Sequence, residues 1–423
     1  MKLQKIVNRL QKLHPKEIDL SLDRIKNLCK KLGNPENKIK AISVVGTNGK
    51  QSTINAMFSI LKEANIRCNV YTSPHIQRIN ERFIFDNQEL DDKELANLFE
   101  DVEKINNDQQ ITFFEILSAC YFYKAAQYPN NINLIEAGLF HRFDATNILD
   151  KNIASIITAI GLDHLDWLPK RKKNIDQIIF EKTSSLLNSK IIISNQHNKE
   201  ILNKIRNSLK NNKSKKIFFN SSFTYSINEN NFFYYEDEFG GLKLPMPNVE
   251  GEFQLSNIAS AIATLRNIKE IKISDKNIKE GITNIKSIAR LQEIKSGKIK
   301  KFVKNNKLYI DGSHNALGAE MLMNHLEKKD CRKHIILGMM KNKDHINYIK
   351  FFKNKISTLT IIDIPNQKNS IKGTDLLKKI NSFKNIKYKK TIHEALMGLE
   401  LEENDIVLIT GSLYLAGEVL KLN

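Results

Sequence analysis

Short apolar runs alternate with amphipathic stretches along most of the chain. Short apolar runs bounded by turn residues are typical of buried parallel strands, whereas apolar residues at three- and four-residue spacing indicate helices. In the first two thirds of the chain, this pattern predicts strands at 41–45, 67–72, 82–85, 132–135, 153–160 and 190–194. The section 218–244 instead alternates aromatic residues with Asn, Asp and Gly, which favours β-hairpins.

A second series of β/α units begins after a boundary near 286–292. Its predicted strands lie at 308–310, 334–337, 358–362 and 405–409, and helical patterns follow them. Such alternation indicates a mostly parallel sheet that is covered on both faces. We therefore predict two α/β domains, residues 1–287 and 288–423, and the first also contains the small β-hairpins.

A glycine turn connects the strand 41–45 to a helix predicted over 53–64. The turn reads Gly46, Thr47, Asn48, Gly49, Lys50, Gln51, Ser52 and Thr53. A strand, a glycine turn, a lysine and a hydroxyl before a helix form an arrangement that cradles polyphosphate, since backbone N–H groups and the helix N-terminus face the anion. The general phosphate loop has more residues between its glycines and a hydroxyl directly after its lysine. An ordinary turn with a surface lysine is the alternative interpretation.

Three polar residues follow apolar runs elsewhere in the first domain. They are Ser73, Glu136 and His164. The carboxyl ends of parallel strands converge, so these side chains are candidates for a Mg²⁺ site that water and phosphate oxygens would complete. The plain alternatives are a helix cap for Ser73, an ion-paired carboxylate for Glu136 and a turn histidine for His164. Imidazole is also not the usual ligand of Mg²⁺.

The composition excludes several classes of protein. The 423 residues are 41% hydrophobic and 27% charged, which is typical of a globular chain. No apolar run is long enough to cross a membrane, the basic start lacks the apolar centre of a signal peptide, and the four cysteines are scattered singly, so we expect a cytoplasmic protein. The net charge of +19 comes from dispersed lysines without interleaved aromatic residues, and we expect no nucleic-acid partner.

Several ordered motifs resemble one family of ligases. They are Gly-Thr-Asn-Gly-Lys at 46–50, Thr-Ser-Pro-His at 72–75, Phe-Phe-Glu at 113–115, Glu-Ala-Gly at 136–138, Arg-Phe-Asp-Ala-Thr-Asn at 142–147, Gly-Leu-Asp-His at 161–164, Glu-Lys at 181–182, Ala-Arg-Leu-Gln at 289–292, Asp-Gly-Ser-His-Asn at 311–315, Gly-Met-Met-Lys-Asn-Lys-Asp at 338–344 and Thr-Gly-Ser-Leu-Tyr-Leu-Ala-Gly-Glu at 410–418. Together they resemble folylpolyglutamate synthase and dihydrofolate synthase, the folate branch of the Mur ligases. This resemblance implies a Mur-ligase-type ATPase domain with a phosphate loop, followed by a Rossmann-like α/β domain.

The resemblance also implies roles for individual residues. The ATP-binding set is Gly46, Thr47, Asn48, Gly49, Lys50, Gln51, Ser52, Asn257, Arg290 and Asp311. Ser73 and Glu136 would bind one Mg²⁺ and His164 a second. Lys182 matches a lysine that is carbamylated in the family, although the bare sequence also allows an exposed helix lysine near Asp176 or Glu181. His314 would contact glutamate or the γ-phosphate, and Lys50, Lys182 and His314 form the catalytic set.

The implied reaction couples ATP cleavage to amide-bond formation. A pteroate or folate carboxylate attacks the γ-phosphate, and the amine of L-glutamate then displaces phosphate from the acyl phosphate. The resemblance to bacterial bifunctional enzymes implies a dihydropteroate or folate site made of Thr112, Phe113, Phe114, Glu115, Phe143, Asp144 and Ala145. Phe114 would stack on the pterin and Asp144 would contact its polar edge. Phe113 and Phe114 would alternatively be only the apolar start of a core helix.

The chain departs from the family pattern at a few positions. Gln51 and the pair Phe140 and His141 stand where the family has glycines, which would be strained if those positions need positive φ. A basic insertion, Lys170–Lys173, precedes Lys182, and Ser184 lies in a changed segment after it. The carbamylation of Lys182 is therefore left open.

Other functions remain possible from the sequence alone. A folylpolyglutamate synthase without the dihydropteroate reaction, a peptidoglycan-type Mur ligase, a nucleic-acid-binding ATPase and an inactive binding protein are the alternatives. The sequence does not determine the preferred folate or the polyglutamate length. Nothing in it indicates an oligomer, so we expect a monomer.

Overall fold

The computed structural model of the protein describes residues 2–16, 18–380, 383 and 385–423. The chain divides into two compact units. The first unit runs through Ile160 and also contains Ile175–Asn248 and Leu255–Ile285. The second unit contains Gly161–Asn174, Val249–Gln254 and Lys286–Asn423. Each unit has its own sheet and its own hydrophobic core.

The first unit contains eleven strands in two sheets, counted over the described residues. The strands are β1 (Lys40–Val45), β2 (Cys68–Tyr71), β3 (Phe83–Phe85), β4 (Gln88–Glu89), β5 (Ile132–Glu136), β6 (Ala154–Ile157), β7 (Lys190–Ile193), β8 (Lys215–Phe218), β9 (Phe223–Ile227), β10 (Phe233–Asp237) and β11 (Gly240–Leu244). The helices are α1 (Lys2–Leu10), α2 (Asp23–Lys31), α3 (Lys50–Glu63), α4 (Asp92–Asn106), α5 (Phe113–Ala125), α6 (Ile175–Thr183), α7 (Lys199–Ser208), α8 (Glu252–Arg266) and α9 (Asp275–Thr283), and the first residues of α8 group with the second unit.

The larger sheet has the order β4-β3-β2-β5-β1-β6-β7-β8. Strands β2, β5, β1, β6, β7 and β8 are parallel, and β3 and β4 extend the edge as antiparallel strands. The continuous apolar character of β5 and β6 follows from this position, because the central strands of a covered parallel sheet are buried on both faces. Strands β9 to β11 form a separate antiparallel sheet. The predicted mostly parallel sheet and the predicted hairpins are both confirmed.

The helix after the glycine turn begins earlier than the sequence pattern predicts. It starts at Lys50 rather than at residue 53, because Gly49 adopts a left-handed conformation with φ +92° and serves as its N-cap. Lys50, Gln51 and Ser52 therefore form the first helical turn. Polar residues in that turn hide the apolar periodicity, which starts only at Ile54.

The second unit contains one six-stranded sheet within the described ranges. Its strands are β12 (Gln292–Glu293), β13 (Lys307–Ile310), β14 (Lys333–Leu337), β15 (Thr358–Ile362), β16 (Ile386–Lys389) and β17 (Ile406–Thr410), in the order β12-β13-β17-β14-β15-β16. Of these six strands, β12 is antiparallel to its neighbour and the others are parallel. The helices are α10 (Ala316–Leu326), α11 (His345–Ile349), α12 (Gly373–Lys379), α13 (Ile392–Met397) and α14 (Leu413–Leu422). This arrangement confirms the predicted α/β class, and it brings the loops after β13, β14 and β17 to one edge of the sheet.

Among the helices of the described residues, none is long and apolar enough to span a membrane.

Candidate functional site

The loop between β1 and α3 is held against the chain that follows β6. The backbone N–H groups of Thr47 and Asn48 both donate to the carbonyl of Ala159, at 2.9 and 3.1 Å. Gly46 has a φ of +147°, and a Cβ built there would lie 1.9 Å from Oγ1 of Thr158. Only glycine fits this position, so the shape of the loop depends on Gly46.

The second glycine of the loop lies beside a residue from α8. A Cβ on Gly49 would lie 2.4 Å from Oδ1 of Asn257, which is itself buried. The structure therefore places the predicted ATP-binding residue Asn257 against the loop, although it is more than 200 residues away in the sequence. Ser52 is buried in the first turn of α3, as a residue that faces the loop would be.

Two lysine side chains converge on the carbonyl oxygens of the loop. Nζ of Lys50 donates to Gly46 O at 3.3 Å and to Thr47 O at 3.2 Å. Nζ of Lys182 donates to Gly46 O at 2.8 Å and to Leu139 O at 3.2 Å. Lys182 is only 2% exposed, so the alternative of an exposed helix lysine is wrong. Two ammonium groups at one loop make it suited to an anion with several charges.

Glu136 ends β5 as a buried carboxylate. Its Oε2 accepts the backbone N–H of Ser73 at 3.0 Å, and its Oε1 lies 3.9 Å from Nζ of Lys50. The prediction that Ser73 and Glu136 converge at the strand ends agrees with this geometry. Within the described ranges, no three His, Cys, Asp or Glu side chains form a metal site by themselves. A hard carboxylate oxygen beside a serine fits Mg²⁺ that takes its other ligands from phosphate and water.

Gln51, Phe140 and His141, which stand where the resembling family has glycines, adopt backbone conformations that cause no strain. Gln51 is helical, and neither Phe140 nor His141 is among the residues with positive φ. Phe140 and His141 are buried, and Nδ1 of His141 lies 2.7 Å from Oγ of Ser185. Burial, with the nearby charge of Lys182, lowers the pKa of His141 to about 3. A neutral imidazole therefore lies close to the Lys182 ammonium.

The chain after β5 is fixed to α6 by an arginine. The guanidinium of Arg142 donates to both carboxylate oxygens of Glu181, at 2.9 and 2.7 Å, and the Glu181 carbonyl accepts the backbone N–H groups of His141 and Arg142. The guanidinium also lies 4.2 Å from the ring centroid of Phe143. The ring of Phe143 is one of the exposed large hydrophobic groups. Phe143 is thus presented to solvent on a rigid loop.

The predicted pair Phe114 and Asp144 is brought together at Gly138. A Cβ on Gly138 would lie 2.9 Å from Oδ2 of Asp144 and 3.0 Å from the Phe114 ring. Oδ2 of Asp144 accepts the N–H groups of Gly138 and Leu139, and Oδ1 accepts the N–H and the hydroxyl of Thr146. Burial raises the pKa of Asp144 despite these bonds. In this structure the carboxylate holds its own loop together next to the phenyl ring.

The remaining residues of the predicted folate site surround the start of α5. Thr112 is the N-cap of this helix, and Oε2 of Glu115 accepts the N–H and the hydroxyl of Thr112, each at 2.8 Å. The same oxygen accepts Nε of Arg24 at 2.9 Å. Phe113 packs at the edge of the core and Ala145 lies in it. Thr112 and Glu115 thus fix the helix end that carries Phe114, whose ring packs against the core.

The second unit contains the other predicted ATP-binding residues. Both carboxylate oxygens of Asp311 accept backbone N–H groups, from Leu291 at 2.8 Å and from Ser313 at 2.7 Å. A Cβ on Gly312 would lie 3.1 Å from Nη1 of Arg290. Arg290 therefore lies close to the residue that follows Asp311.

Asp163 is a buried carboxylate that was not among the predicted site residues. It lies next to two that were, His164 and His314. Oδ1 of Asp163 accepts the N–H of His164 and Nζ of Lys343, each at 2.8 Å. Oδ2 accepts Nδ2 of Asn315 at 2.9 Å and lies 3.3 Å from Nε2 of His314. Burial alone would raise the pKa of Asp163, but His164, His314 and Lys343 hold it well below its usual value.

Asp163 and Lys343 are the residues that sequence reasoning missed. Asp163 stands in the Gly-Leu-Asp-His motif and Lys343 in the motif at 338–344, so the signal was present in both segments. His164, the predicted ligand of a second metal, belongs to the second unit, whereas Ser73 and Glu136 belong to the first. The imidazole Nε2 of His164 lies 3.9 Å from Oδ2 of Asp163.

Comparison with known proteins gives matches along the whole chain. A family described as "Dihydrofolate synthetase, C-terminal domain" matches residues 292–422. The dihydrofolate synthase/folylpolyglutamate synthase of Escherichia coli (strain K12) is 28% identical over 418 residues, covering 98% of this chain and 93% of that protein. A structure of E. coli FolC in complex with DHPP and ADP matches with a TM-score of 0.86 at 26% identity, covering 99% of this chain and 97% of that chain.

A second solved structure gives the same result. The bifunctional folylpolyglutamate synthase/dihydrofolate synthase of Yersinia pestis, complexed with AMPPNP and Mn ion, matches with a TM-score of 0.86 at 25% identity, covering 99% of this chain and 97% of that chain. The order of the sequence motifs, the two α/β units and these full-length matches agree with one another. The chain is therefore similar along its whole length to dihydrofolate synthase/folylpolyglutamate synthases.

Proposed function

We propose that this protein is an ATP-dependent ligase that joins L-glutamate to dihydropteroate, giving dihydrofolate, and to reduced folates, giving polyglutamates. The observation that carries the proposal is the loop Gly46–Gly49, where two lysine ammonium groups and the buried carboxylate of Glu136 surround one phosphate-binding turn. The full-length similarity to bifunctional enzymes of Escherichia coli and Yersinia pestis supports both reactions.

In the first step, a carboxylate oxygen of the pteroate or folate attacks the γ-phosphorus of ATP, the bond to the β-phosphate oxygen breaks, and ADP leaves. Two anions must meet in this step, so the main task of the protein is to neutralise charge. Lys50 supplies a cation at the loop, and the backbone N–H groups at the start of α3 face the phosphates. We assign 46–52 and Asn257 of the first domain, and Arg290 and Asp311 of the second domain, to ATP binding.

We assign nucleotide and folate binding to residues 1–287, and further ATP and glutamate contacts to 288–423. In the second step, the amine of L-glutamate attacks the acyl phosphate, phosphate leaves, and a proton is released. His314 is assigned to the glutamate or the γ-phosphate.

Glu136 and Ser73 are the residues that would hold one Mg²⁺, and His164 would hold a second. When bound, the ions supply positive charge at the phosphates. Lys182 is assigned as the site of carbamylation, in which the neutral amine adds CO₂ and releases a proton. Its ammonium donates to two carbonyls in this structure, and the carbamate keeps a single N–H, so carbamylation must release one of these bonds. NMR with ¹³C-bicarbonate tests this assignment, because a carbamate carbon gives a resonance that Lys182→Arg removes.

The dihydropteroate site is assigned to the surface around Phe114, with 112–115 and 143–145 as its walls. The Phe114 ring, which packs against the core and stacks on Tyr71 at 5.9 Å between ring centroids, is assigned as the stacking surface for a flat heterocycle, and Asp144 keeps the neighbouring loop in place. We further infer a cytoplasmic monomer without nucleic-acid or membrane partners. Light scattering on the purified protein tests the monomer.

The decisive assay is ADP release that depends on glutamate and Mg²⁺, with dihydropteroate in one reaction and a reduced folate in another. We expect release with both substrates. Release with the reduced folate alone would leave a polyglutamate synthase and remove the dihydropteroate site around Phe114. Silence with both substrates would refute the proposed function.

A further inference from the structure

Asp163 is a buried carboxylate whose two oxygens are both fully used by the protein. Its side chain is 7% exposed. One oxygen accepts the N–H of His164 and the ammonium of Lys343, and the other accepts the amide of Asn315 and faces the imidazole of His314. An ionised carboxylate has about four acceptor positions, and four donors occupy them here. Asp163 therefore acts through its partners rather than by binding a ligand itself.

The carboxylate is anchored to the end of a helix. Asn315 is the N-cap of α10, where its Oδ1 accepts the N–H of Gly318 at 2.9 Å, and its Nδ2 donates to Asp163. Close packing adds to this anchor, since a Cβ on Gly161 would lie 3.0 Å from the side chain of Leu317. The segment that contains Asp163 is thus fixed to α10 by two independent contacts.

The partners of Asp163 are flexible or rotatable groups that the carboxylate holds in place. A lysine side chain loses rotamer entropy when it is fixed, so an ammonium that the protein already holds binds an anion at a lower entropic cost. Lys343 is 12% exposed and uses one of its three donors on Asp163, which leaves two for another acceptor. His314 is oriented from both sides, because its Nδ1 lies 3.1 Å from Gly312 O and its Nε2 faces Asp163.

We propose that Asp163 is a positioning residue that holds the Lys343 ammonium as a fixed donor for an anionic substrate oxygen, while His314 is kept in place beside it. The inference rests on the proposed function, in which two substrates carry such oxygens. These oxygens belong to the carboxylates of L-glutamate and to the γ-phosphoryl group of ATP. A carboxylate is planar and a phosphoryl group is tetrahedral, but both present anionic oxygens. Kinetics with two different amines distinguish binding of glutamate from binding of the γ-phosphoryl group.

The test compares Asp163→Asn, Lys343→Ala and the double variant with Asp363→Asn as the matched control. Asp363 is a carboxylate of the same unit that also accepts a backbone N–H and a hydroxyl, from Gly373 and Tyr388, and neither partner is a candidate site residue. ADP release with dihydropteroate is measured with glutamate or with hydroxylamine as the amine. Hydroxylamine attacks the acyl phosphate to give a hydroxamate and phosphate, and it carries no carboxylate.

If Lys343 binds glutamate, Asp163→Asn raises the KM for glutamate at least ~10-fold and leaves the hydroxylamine-dependent rate within ~3-fold. If Lys343 binds the γ-phosphoryl group, the hydroxylamine-dependent rate falls at least ~10-fold as well. In both cases Lys343→Ala adds less than ~3-fold in the Asp163→Asn background, because the two residues act as one unit. Asp363→Asn leaves all of these parameters within ~3-fold of the wild type.

The positioning role is overturned by three results. The first is that Asp163→Asn has the same kinetics as Asp363→Asn. The second is that the effects of Asp163→Asn and Lys343→Ala are fully additive. The third is that Asp163→Asn changes only the Mg²⁺ concentration that half-maximal activity requires. If Asp163→Asn unfolds at the assay temperature, Asp163→Glu replaces it, since it keeps the charge and displaces the oxygens by one methylene. Silence of the wild-type enzyme in both assays refutes the proposed function, whereas a normal wild type with unaffected variants refutes only the role of Asp163.

Discussion

Gly46→Ala tests whether the shape of the loop controls phosphate binding. The added Cβ would lie 1.9 Å from Oγ1 of Thr158 and 3.1 Å from its Cβ, at a backbone φ of +147°. Ordinary contacts need about 3.5 Å, so the loop or Thr158 must move by roughly 1.5 Å. The carbonyl of Gly46 is also the shared acceptor of the Lys50 and Lys182 ammonium groups, so a moved loop displaces both cations.

Two costs determine the expected loss of stability, and the displacement of the loop determines the expected loss of activity. A side chain in this conformation costs about 1–3 kcal/mol, and overpacking a buried site costs about 1–3 kcal/mol. We therefore expect the free energy of unfolding to fall by about 2–4 kcal/mol, since part of the clash is relieved by the shift. Misplacement of the phosphate-binding groups by about 1 Å is expected to lower kcat/KM for ATP by about 100-fold.

The assay is ADP release over a range of ATP concentrations, with the other substrates saturating, and denaturant unfolding of the same samples. Thr158→Ala serves as the control, because it removes the nearest atom, Oγ1, and its activity measures separately the loss of the hydrogen bond from that hydroxyl to Val45 O. The double variant Gly46→Ala with Thr158→Ala should recover about 10-fold in kcat/KM, while the backbone strain remains. Turnover of Gly46→Ala within ~3-fold of the wild type would refute the reasoning.

Three further predictions concern single side chains. Lys50→Ala should lower kcat at least ~100-fold through lost charge stabilisation, and near-normal ADP release would remove the phosphate-loop assignment. The pKa of His141 is about 3 in the folded state and 6.5 for an unperturbed histidine, so the free energy of unfolding should fall as the pH drops below 6.5, by about 2 kcal/mol at pH 5. In urea unfolding, His141→Gln should lose less stability than the wild type between pH 7 and pH 5. The same pH dependence in both proteins would contradict this prediction. Phe114→Ala should raise the KM for dihydropteroate about 10-fold in steady-state kinetics with little change in the KM for ATP, and equal changes in both would argue against the ring as a stacking surface.

Local sequence determined the elements and the glycine turn between β1 and α3. The alternation of apolar runs and helices predicted two mostly parallel sheets, and the glycine turn before Lys50 predicted the loop. Both signals lie within a short segment of chain, where periodicity and the special conformations of glycine act directly. The boundary of α3 was missed by three residues, because its first turn is polar and the left-handed Gly49 sets its start.

The sequence predicted only in general terms that polar residues at the ends of parallel strands lie close together. Parallel strands bring their carboxyl ends together, and this places Ser73 beside Glu136. The same rule gives no distances and does not say which side chains are already satisfied. The bonds of Asp144 to its own loop were therefore not foreseen.

Tertiary structure alone decided which polar side chains form one group. Lys182 donates to Gly46 across 136 residues, and Asp163 contacts Asn315 and Lys343 across 152 and 180 residues. No local pattern encodes such contacts, because a buried charge is stable only where folding brings several donors to it at once. The sequence by itself determined the elements, the glycine turn and the resemblance to folate ligases, whereas the burial of Lys182 and the grouping around Asp163 exist only after distant segments pack together.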